Sequence, residues 1–288
     1  MPGLDIHLGD NLPLMRSWDA ASFELIYADP PFNTGKAQSR DRTKAVRDDE
    51  GGRAGFAGVK YRAVKIGSAS FADAFDDYLA FLEPRLIEMH RLLTPTGSLF
   101  LHLDYREVHY AKVLLDQIFG RASFINEIIW AYDFGGRSRS RWSPKHDTIL
   151  WYARDPKQYT FNYDAIDRVP YMAPKLVGPE KARRGKTPTD TWWHTIVSPT
   201  GHEKTGYPTQ KPLGVVERIV RVHSNPGDRV LDPFAGSGTT GAAAVALGRS
   251  ATLIDSSPAA HRAMADRFTN APPRWHERPQ KRGAQPLA

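Results

Sequence analysis

The stretch "YADPPFNTGK", Tyr27 to Lys36, sets an acid, two prolines and an aromatic ring directly behind the apolar run "FELIYA". Proline fixes its own φ and cannot donate to a sheet ladder, and the residue before it is pushed out of helical geometry. The chain must therefore leave a strand at Asp29 as a stiff elbow. Asp29 offers a carboxylate, Pro30 an exposed carbonyl, Pro31 a second rigid joint and Phe32 a flat ring, all at a strand's C-terminal edge. In open α/β sheets that edge is where ligands bind. Alone, the motif equally fits a plain loop with Asp29 as a cap and Phe32 in the core.

A second stretch, "RVLDPFAGSGTTGAAAVALGRSATLIDSS", reads as strand, glycine turn, helix and strand. Gly236 and Gly238 let the backbone turn tightly and approach a ligand with no Cβ in the way. Asp232, Pro233, Phe234, Ala235 and Ser237 complete the turn, and Thr239 and Thr240 start the helix. Asp255 ends the following strand, where a carboxylate can accept hydrogen bonds from ribose hydroxyls. Together these features point to a nucleoside ligand. "GSGTTG", with Gly241 third, also spells the dinucleotide fingerprint, so a nicotinamide or flavin cofactor is a rival. Asp232 would repel a pyrophosphate; a cationic cofactor without phosphates, such as S-adenosylmethionine, fits that acid better.

The elements that position these turns can be read from periodicity. "LDIHLGD" and "FELIYAD" read as strands, the second apolar enough for a parallel sheet buried on both faces. "FADAFDDYLAFLEPRLIEMHRLL" spaces Phe75, Leu79, Leu82, Leu86 and Met89 at helical intervals. "SLFLHLD" is a strand, "YREVHYAKVLLDQIFG" a helix closed by Gly120, and "FINEIIWAY" and "HDTILWYAR" two more strands. "PLGVVERIVRVHS" is a helix leading into the glycine unit. Residues 35–70 are charged, glycine-bearing and aperiodic, which predicts a long loop, functional or disordered. Apart from the strand at "HDTILWYAR", residues 133–206 lose the rhythm and interleave arginines with tryptophans.

Composition bounds the class. The chain has 288 residues, 39 Lys and Arg against 32 Asp and Glu, and a net charge of +7. The length suits one large α/β domain, or one with an insertion, and the charge a polyanionic partner. The absence of cysteine excludes disulfides, thiolate metal sites and cysteine nucleophiles; no metal site is expected. The start "MPGLDIHLGDN" is not a signal peptide, and no apolar run nears the roughly 20 residues that span a bilayer. The expectation is a soluble cytoplasmic, nucleoid-associated protein without membrane contact.

Taken together, "DPPF" at 29–32 and "DPFAGSGTT" at 232–240 resemble the amino-methyltransferases of DNA, which modify adenine N6 or cytosine N4. The catalytic motif precedes the cofactor motif, and "KTGYPTQKP" stands just before the cofactor unit; this order is similar to that of the β class. The resemblance covers about residues 8 to 256. It implies an α/β fold: a Rossmann-like doubly wound mixed sheet of the S-adenosylmethionine-dependent methyltransferase type, circularly permuted, with an inserted target-recognition region. Residues 1–132 would form the catalytic half with a mobile loop at 35–70. Residues 133–206 would recognise the target, 207–270 would form the cofactor half, and 271–288 a disordered basic tail.

The resemblance also implies roles. Asp232, Pro233, Phe234, Ala235, Gly236, Ser237 and Gly238 would line the cofactor turn, Thr239 and Thr240 would bond the cofactor's carboxylate, and Asp255 its ribose. Lys211 would contact the methionine moiety, its alternative being a solvated helix-start lysine. Asp10 would lie near the adenine, its alternative being a helix N-cap. Asp29 and the Pro30 carbonyl would each accept an N–H from the target amine and free its lone pair, with Phe32 stacked on a base flipped out of the duplex. Arg137, Arg139, Arg141, Arg183 and Arg184 would meet phosphates or guanine edges, Trp192 and Trp193 would pack or wedge, and the 35–70 segment, through Arg40, Arg42, Lys44, Arg47 and Lys60, is a second candidate clamp. The favoured target is adenine N6 in double-stranded DNA. Cytosine N4 is the alternative, and a protein or small-molecule amide methyltransferase stands third. The resemblance leaves room for a homodimer and a cognate restriction endonuclease.

Overall fold

A computed structural model describes residues 2–33, 38–47, 53–54, 60–71, 75, 77–198 and 201–276. In chain order the elements begin β1 (Leu4–Leu8), α1 (Asn11–Arg16), β2 (Phe23–Ala28), β3 (Gln38–Arg47), β4 (Arg53–Ala54), β5 (Lys60–Phe71), α2 (Tyr78–Leu92), β6 (Leu93–Leu103) and α3 (Val108–Phe119). They continue with β7 (Phe124–Ala131), β8 (His146–Ala153), α4 (Pro179–Arg184), β9 (Thr191–Trp193) and α5 (Leu213–His223). The cofactor-motif half adds β10 (Arg229–Asp232), α6 (Thr239–Ala246), β11 (Ser250–Asp255), α7 (Pro258–Arg267) and β12 (Arg274–His276).

Nine strands form one sheet in the order β12-β1-β11-β10-β2-β6-β8-β7-β9. The first six run parallel; β8 is antiparallel to both β6 and β7, and β9 is parallel to β7. Both faces are buried, which explains the near-continuous apolar runs. Strand β2 shows the alternation: Leu25 and Tyr27 join a core with α5, α6 and α7, whereas Ile26 and Ala28 join another with α1, α2 and α3. This is the doubly wound arrangement expected. Helices start and stop where local chemistry dictates: Asp77 caps α2 by accepting from the Ala80 N–H at 2.9 Å, and Gly120, at φ +85°, closes α3.

Four expectations change. The described residues within 35–70 are not aperiodic: β3 and β5 pair antiparallel over Gln38–Arg47 and Lys60–Phe71, and β4 joins β5, in a separate three-stranded sheet. Their charged composition masks the alternation that would reveal a strand. The side chains of Arg40, Arg42, Lys44, Arg47 and Lys60 lie outside the described residues. Phe75 precedes α2 rather than belonging to it. In the tail, Arg274–His276 pair with Asp5–His7 of β1, held by Arg274 and His276 on the Asp5 carboxylate at 2.7 and 2.8 Å; the expectation for 277–288 lies outside the described residues. Residues 133–206 give β9 as well as the expected β8 to the main sheet, and α4 lies between those two strands in the chain. Among the described residues no helix is long and apolar enough to cross a membrane.

Candidate active site

Strands β10 and β2 are neighbours at the sheet centre, and the chain leaves them toward opposite edges, β10 by α6 to β11 and β2 by α2 to β6. The crevice beyond their carboxyl ends is the switch point where such sheets bind ligands. Both chemical motifs sit there, because each comes directly after its strand. Asp29, Pro30, Pro31 and Phe32 line one side of a cavity of about 560 Å³; Asp232 to Ser237, Thr239, Thr240 and Asp255 line the other.

The glycine turn is organised by carboxylates. Asp232, fully buried, accepts from the Phe234 N–H at 3.0 Å and the Thr240 hydroxyl at 2.5 Å. Burial, with Asp29 and Asp255 nearby, still pushes its pKa up to about 7. Asp255 accepts from the N–H groups of Gly236 and Ser257, each at 2.8 Å, and burial raises it to about 6. It therefore fastens the turn to β11 while bordering the cavity. Thr240 gives its hydroxyl proton to Asp232, and Thr239 donates to the Lys211 carbonyl at 3.3 Å. Both hydroxyls are thus engaged within the protein, while the N-terminal end of α6 faces the cavity through Thr239 and Thr240.

Gly238 departs from its expected place. It stands at φ +76° as the residue before α6, and it does not line the cavity. A Cβ there would meet Phe268 at 2.8 Å and Met264 at 2.9 Å, on the α7 side. Its bareness permits a left-handed turn and close packing. Gly236, at φ +53°, does border the cavity, against the Tyr207 ring.

Asp10 is the helix N-cap weighed for it, and it also borders the cavity. It caps α1 by accepting from the Leu12 N–H at 3.2 Å and lines the cavity, paired with Arg85 at 2.9 Å. Arg85 also donates to Asn11 at 2.8 Å, and Asn11 holds the Pro233 carbonyl at 2.7 Å, so α1 and α2 brace the glycine turn. Arg85 and Asn11 escaped the sequence reading because each is an ordinary helix residue until the fold brings it here.

A second cavity, of about 250 Å³, adjoins the first at Phe32, Gln210 and Lys211 and is walled by Trp130, Tyr132, Phe134 and Asp147. Behind Phe32 runs a buried polar chain: the Tyr27 hydroxyl meets His102 Nδ1 at 2.7 Å, His102 Nε2 meets Asp147 at 3.2 Å, and Tyr132 donates to Asp147 at 3.1 Å. Burial alone would raise Asp147; the hydrogen bonds from His102 and Tyr132, with the charge of Lys211, hold it below its ordinary value. Sequence reasoning missed this chain, since its members come from four strands or their edges.

Lys211 takes an unexpected partner. Its ammonium forms an ion pair with Asp29 Oδ2 and lies 4.7 Å from the centre of the Phe32 ring. Asp29 Oδ1, also buried, has no hydrogen-bond partner among the described residues. The arginines stand apart from this centre. Arg137, Arg139 and Arg141 are exposed between β7 and β8, with Arg137 on Asp133 at 2.7 Å, and Arg183 and Arg184 are exposed at the end of α4. Trp193 is exposed, whereas Trp192 packs under Arg218 at 4.7 Å.

Two rigid turns facing each other across adjacent parallel strands define a Rossmann-like enzyme of the methyltransferase type. Solved structures share this fold. The M1.HpyAVI–SAM complex superposes with a TM-score of 0.59 at 22% identity, covering 92% of this chain and 99% of that one. The PvuII DNA methyltransferase, cytosine-N4-specific, gives 0.61 at 17% identity, covering 93% and 88%. Sequence takes the assignment further. Residues 23–266 match the N6/N4 family model described as DNA methylase, and the chain belongs to that family. The Type II methyltransferase M.HpaI of Haemophilus parainfluenzae is 32% identical over 242 residues, 84% of this chain and 66% of that one. The DNA adenine methyltransferase YhdJ of Escherichia coli K12 is 31% identical over 249 residues, 84% and 74% respectively.

Proposed function

We propose that this protein moves a methyl group from S-adenosylmethionine to the exocyclic amine of a base flipped out of double-stranded DNA, with adenine N6 as the target. The observation that carries the reading is Asp29 Oδ1, buried and without a partner among the described residues, on a side chain that lines the larger cavity beside Phe32, which borders both cavities. A buried carboxylate oxygen with no donor is costly unless a ligand supplies one. An amine N–H is such a donor. Asp29 and the Pro30 carbonyl then accept hydrogen bonds from the two amine N–H groups and turn the nitrogen lone pair toward the larger cavity, in a frame that the prolines fix before the base arrives; transfer of the methyl leaves S-adenosylhomocysteine, and the nitrogen then loses one proton. The smaller, aromatic-walled cavity suits a flat base with Phe32 as one face.

The larger cavity fits the cofactor. Its volume lies in the range of small-molecule sites, and its acids Asp10, Asp232 and Asp255 suit a cationic nucleoside better than a pyrophosphate. When bound, S-adenosylmethionine supplies an electrophilic methyl on a positively charged sulfur. Family membership answers the dinucleotide rival, because an oxidoreductase leaves the Asp29–Phe32 elbow without a role. Adenine is favoured by the "DPP" form of the elbow and by the likeness to YhdJ. Unmethylated plasmid DNA incubated with the protein and labelled cofactor, then digested to nucleosides, should yield N6-methyladenine; N4-methylcytosine would replace the target base, and no label in DNA would sink the function.

The raised pKa values give a pH test. Asp255 at about 6 and Asp232 at about 7 are partly neutral in mild acid and ionise as pH rises. A sulfonium ligand binds the ionised form better, so its affinity increases with pH. From about pH 5 to about pH 8, S-adenosylmethionine should gain about tenfold more affinity than S-adenosylhomocysteine, which lacks the sulfonium charge. Parallel calorimetric curves for the two would show that the charge of these acids does not act on the sulfonium.

Residues 133–206 carry DNA recognition in this reading, and their exposed arginines should divide into two groups. Alanine at a phosphate-contacting arginine weakens binding to all duplexes and lowers the salt slope by about one. Alanine at a guanine-reading arginine costs about 1–3 kcal/mol at one base pair. The five to test are Arg137, Arg139, Arg141, Arg183 and Arg184, against specific and scrambled duplexes at several salt concentrations. If all five are neutral while changes in 38–71 alter sequence preference, recognition belongs to the three-stranded sheet. The Type II kinship with M.HpaI extends the proposal to a cognate restriction endonuclease and to a cytoplasmic, nucleoid setting.

A further inference from the structure

We propose that Lys211 is a positioning residue for Asp29: its ammonium holds one carboxylate oxygen so that the other faces the target amine. The inference rests on the methyl-transfer reading above. It departs from the role that the sequence resemblance implied, contact with the methionine moiety.

The segment that carries Lys211 is itself held rigid. Gln210, buried, accepts from the Thr205 N–H at 2.8 Å and the Thr205 hydroxyl at 2.9 Å, and donates to the Glu203 carbonyl at 2.6 Å. The Lys211 carbonyl accepts from Thr239 at the start of α6. Pro212 then opens α5 with its own fixed φ. A long flexible side chain thus starts from an anchored backbone and ends between Asp29 Oδ2 and the Phe32 ring, where both charged groups are almost fully buried, 11% and 15% exposed.

The pairing has two effects. A carboxylate on a strand-end elbow can still rotate about its last side-chain bond, and a cation on one oxygen stops that rotation. Oδ1 is then presented in one orientation, the kind of second support that reactive groups need. The pair also settles charge. Asp232, Asp255, Asp147 and Tyr27 crowd this corner, and burial together with Asp29 contributes to the raised pKa of Asp232. The ammonium offsets part of that negative charge. Pairing also keeps the ammonium from facing a cationic cofactor as an unbalanced positive charge.

The test uses the full-length protein, unmethylated plasmid DNA and tritiated S-adenosylmethionine. Single-turnover rates at saturating cofactor are measured beside calorimetric cofactor affinity, for wild type, Lys211→Met and Lys211→Arg. Lys211→Met should slow the single turnover by about 100-fold, the scale of losing one preorganised electrostatic contact. Cofactor affinity should stay within about threefold of wild type, because the side chain serves the base side of the site. Lys211→Arg keeps the charge and should recover at least about a tenth of the wild-type rate, its planar fork fitting less well than the ammonium. Should Lys211→Met fail to fold, Lys211→Gln carries the same comparison. A wild-type rate in the uncharged variant overturns the inference, and so does an unchanged rate with cofactor affinity weakened by about tenfold or more. A wild-type chain that transfers no methyl group overturns the function reading itself, which separates the two failures.

Discussion

Asp29→Ala should lower methyl transfer by at least about a thousandfold, or about 4 kcal/mol of barrier, while S-adenosylmethionine affinity changes by less than about threefold. The expectation rests on where the two carboxylate oxygens go. Oδ2 is taken by Lys211; Oδ1 is buried and has no partner among the described residues. Nothing in the glycine turn hydrogen-bonds Asp29, so its loss leaves Asp232, Asp255 and the α6 N-terminus as they are. Lys211 would lose its counter-charge, which is severe in a sealed core. Here the pair borders a cavity that admits water, which limits the damage. Asp29→Asn, which keeps the shape but replaces one acceptor oxygen with a donor, separates the two effects: it should fold as wild type and still lose turnover. Turnover and calorimetric affinity measured on both variants decide the matter, and near-normal turnover in either would sink the mechanism.

Much of this site was readable because its chemistry is local. The elbow at Asp29 and the glycine turn are each a few contiguous residues behind an apolar strand, and proline and glycine announce themselves. The strands buried on both faces were legible for the same reason. The residues that stayed hidden need the fold. Lys211 and Asp29 are 182 residues apart, and Tyr27 and His102 are 75 apart; no spacing rule pairs them. Strands β9 and β12 are three residues each, too short for a period. Helix α7, "PAAHRAMADR", was overlooked because alanine and charge dominate it and only a few apolar side chains reach the core. In β3 and β5, charged residues sit on what composition suggested was loop, although the backbone ladder is continuous save for one register shift. Gly238 is the reverse case: the motif announces the glycine, but only the fold shows that Phe268 and Met264 stand where its Cβ would go.

Gly238→Val is therefore expected to act through stability first and binding second. At φ +76° a β-branched residue costs about 1–2 kcal/mol for the left-handed backbone alone. Its Cβ would also lie 2.8 Å from Phe268 and 2.9 Å from Met264, both buried in the core beneath α7. Overpacking of this kind costs about 1–3 kcal/mol, so the total is about 2–5 kcal/mol. For a domain of this size that lowers Tm by several degrees, about 2–4 °C for each kcal/mol. Cofactor affinity should fall as a consequence, because Gly238 carries the first helical residues of α6 and with them Thr240 on Asp232. The route can be tested by making room. Gly238→Val combined with Met264→Ala removes the Cγ that the new Cβ would strike, so the second change should cost less in the valine background than in the wild type. If the valine instead filled ligand space, the same second change would be equally costly in both backgrounds, since Met264 does not line the cavity. Melting curves of the four proteins, with and without S-adenosylmethionine, read the difference directly: coupling without ligand places the obstruction at α7, and additive losses with only ligand binding impaired would return Gly238 to the cofactor wall.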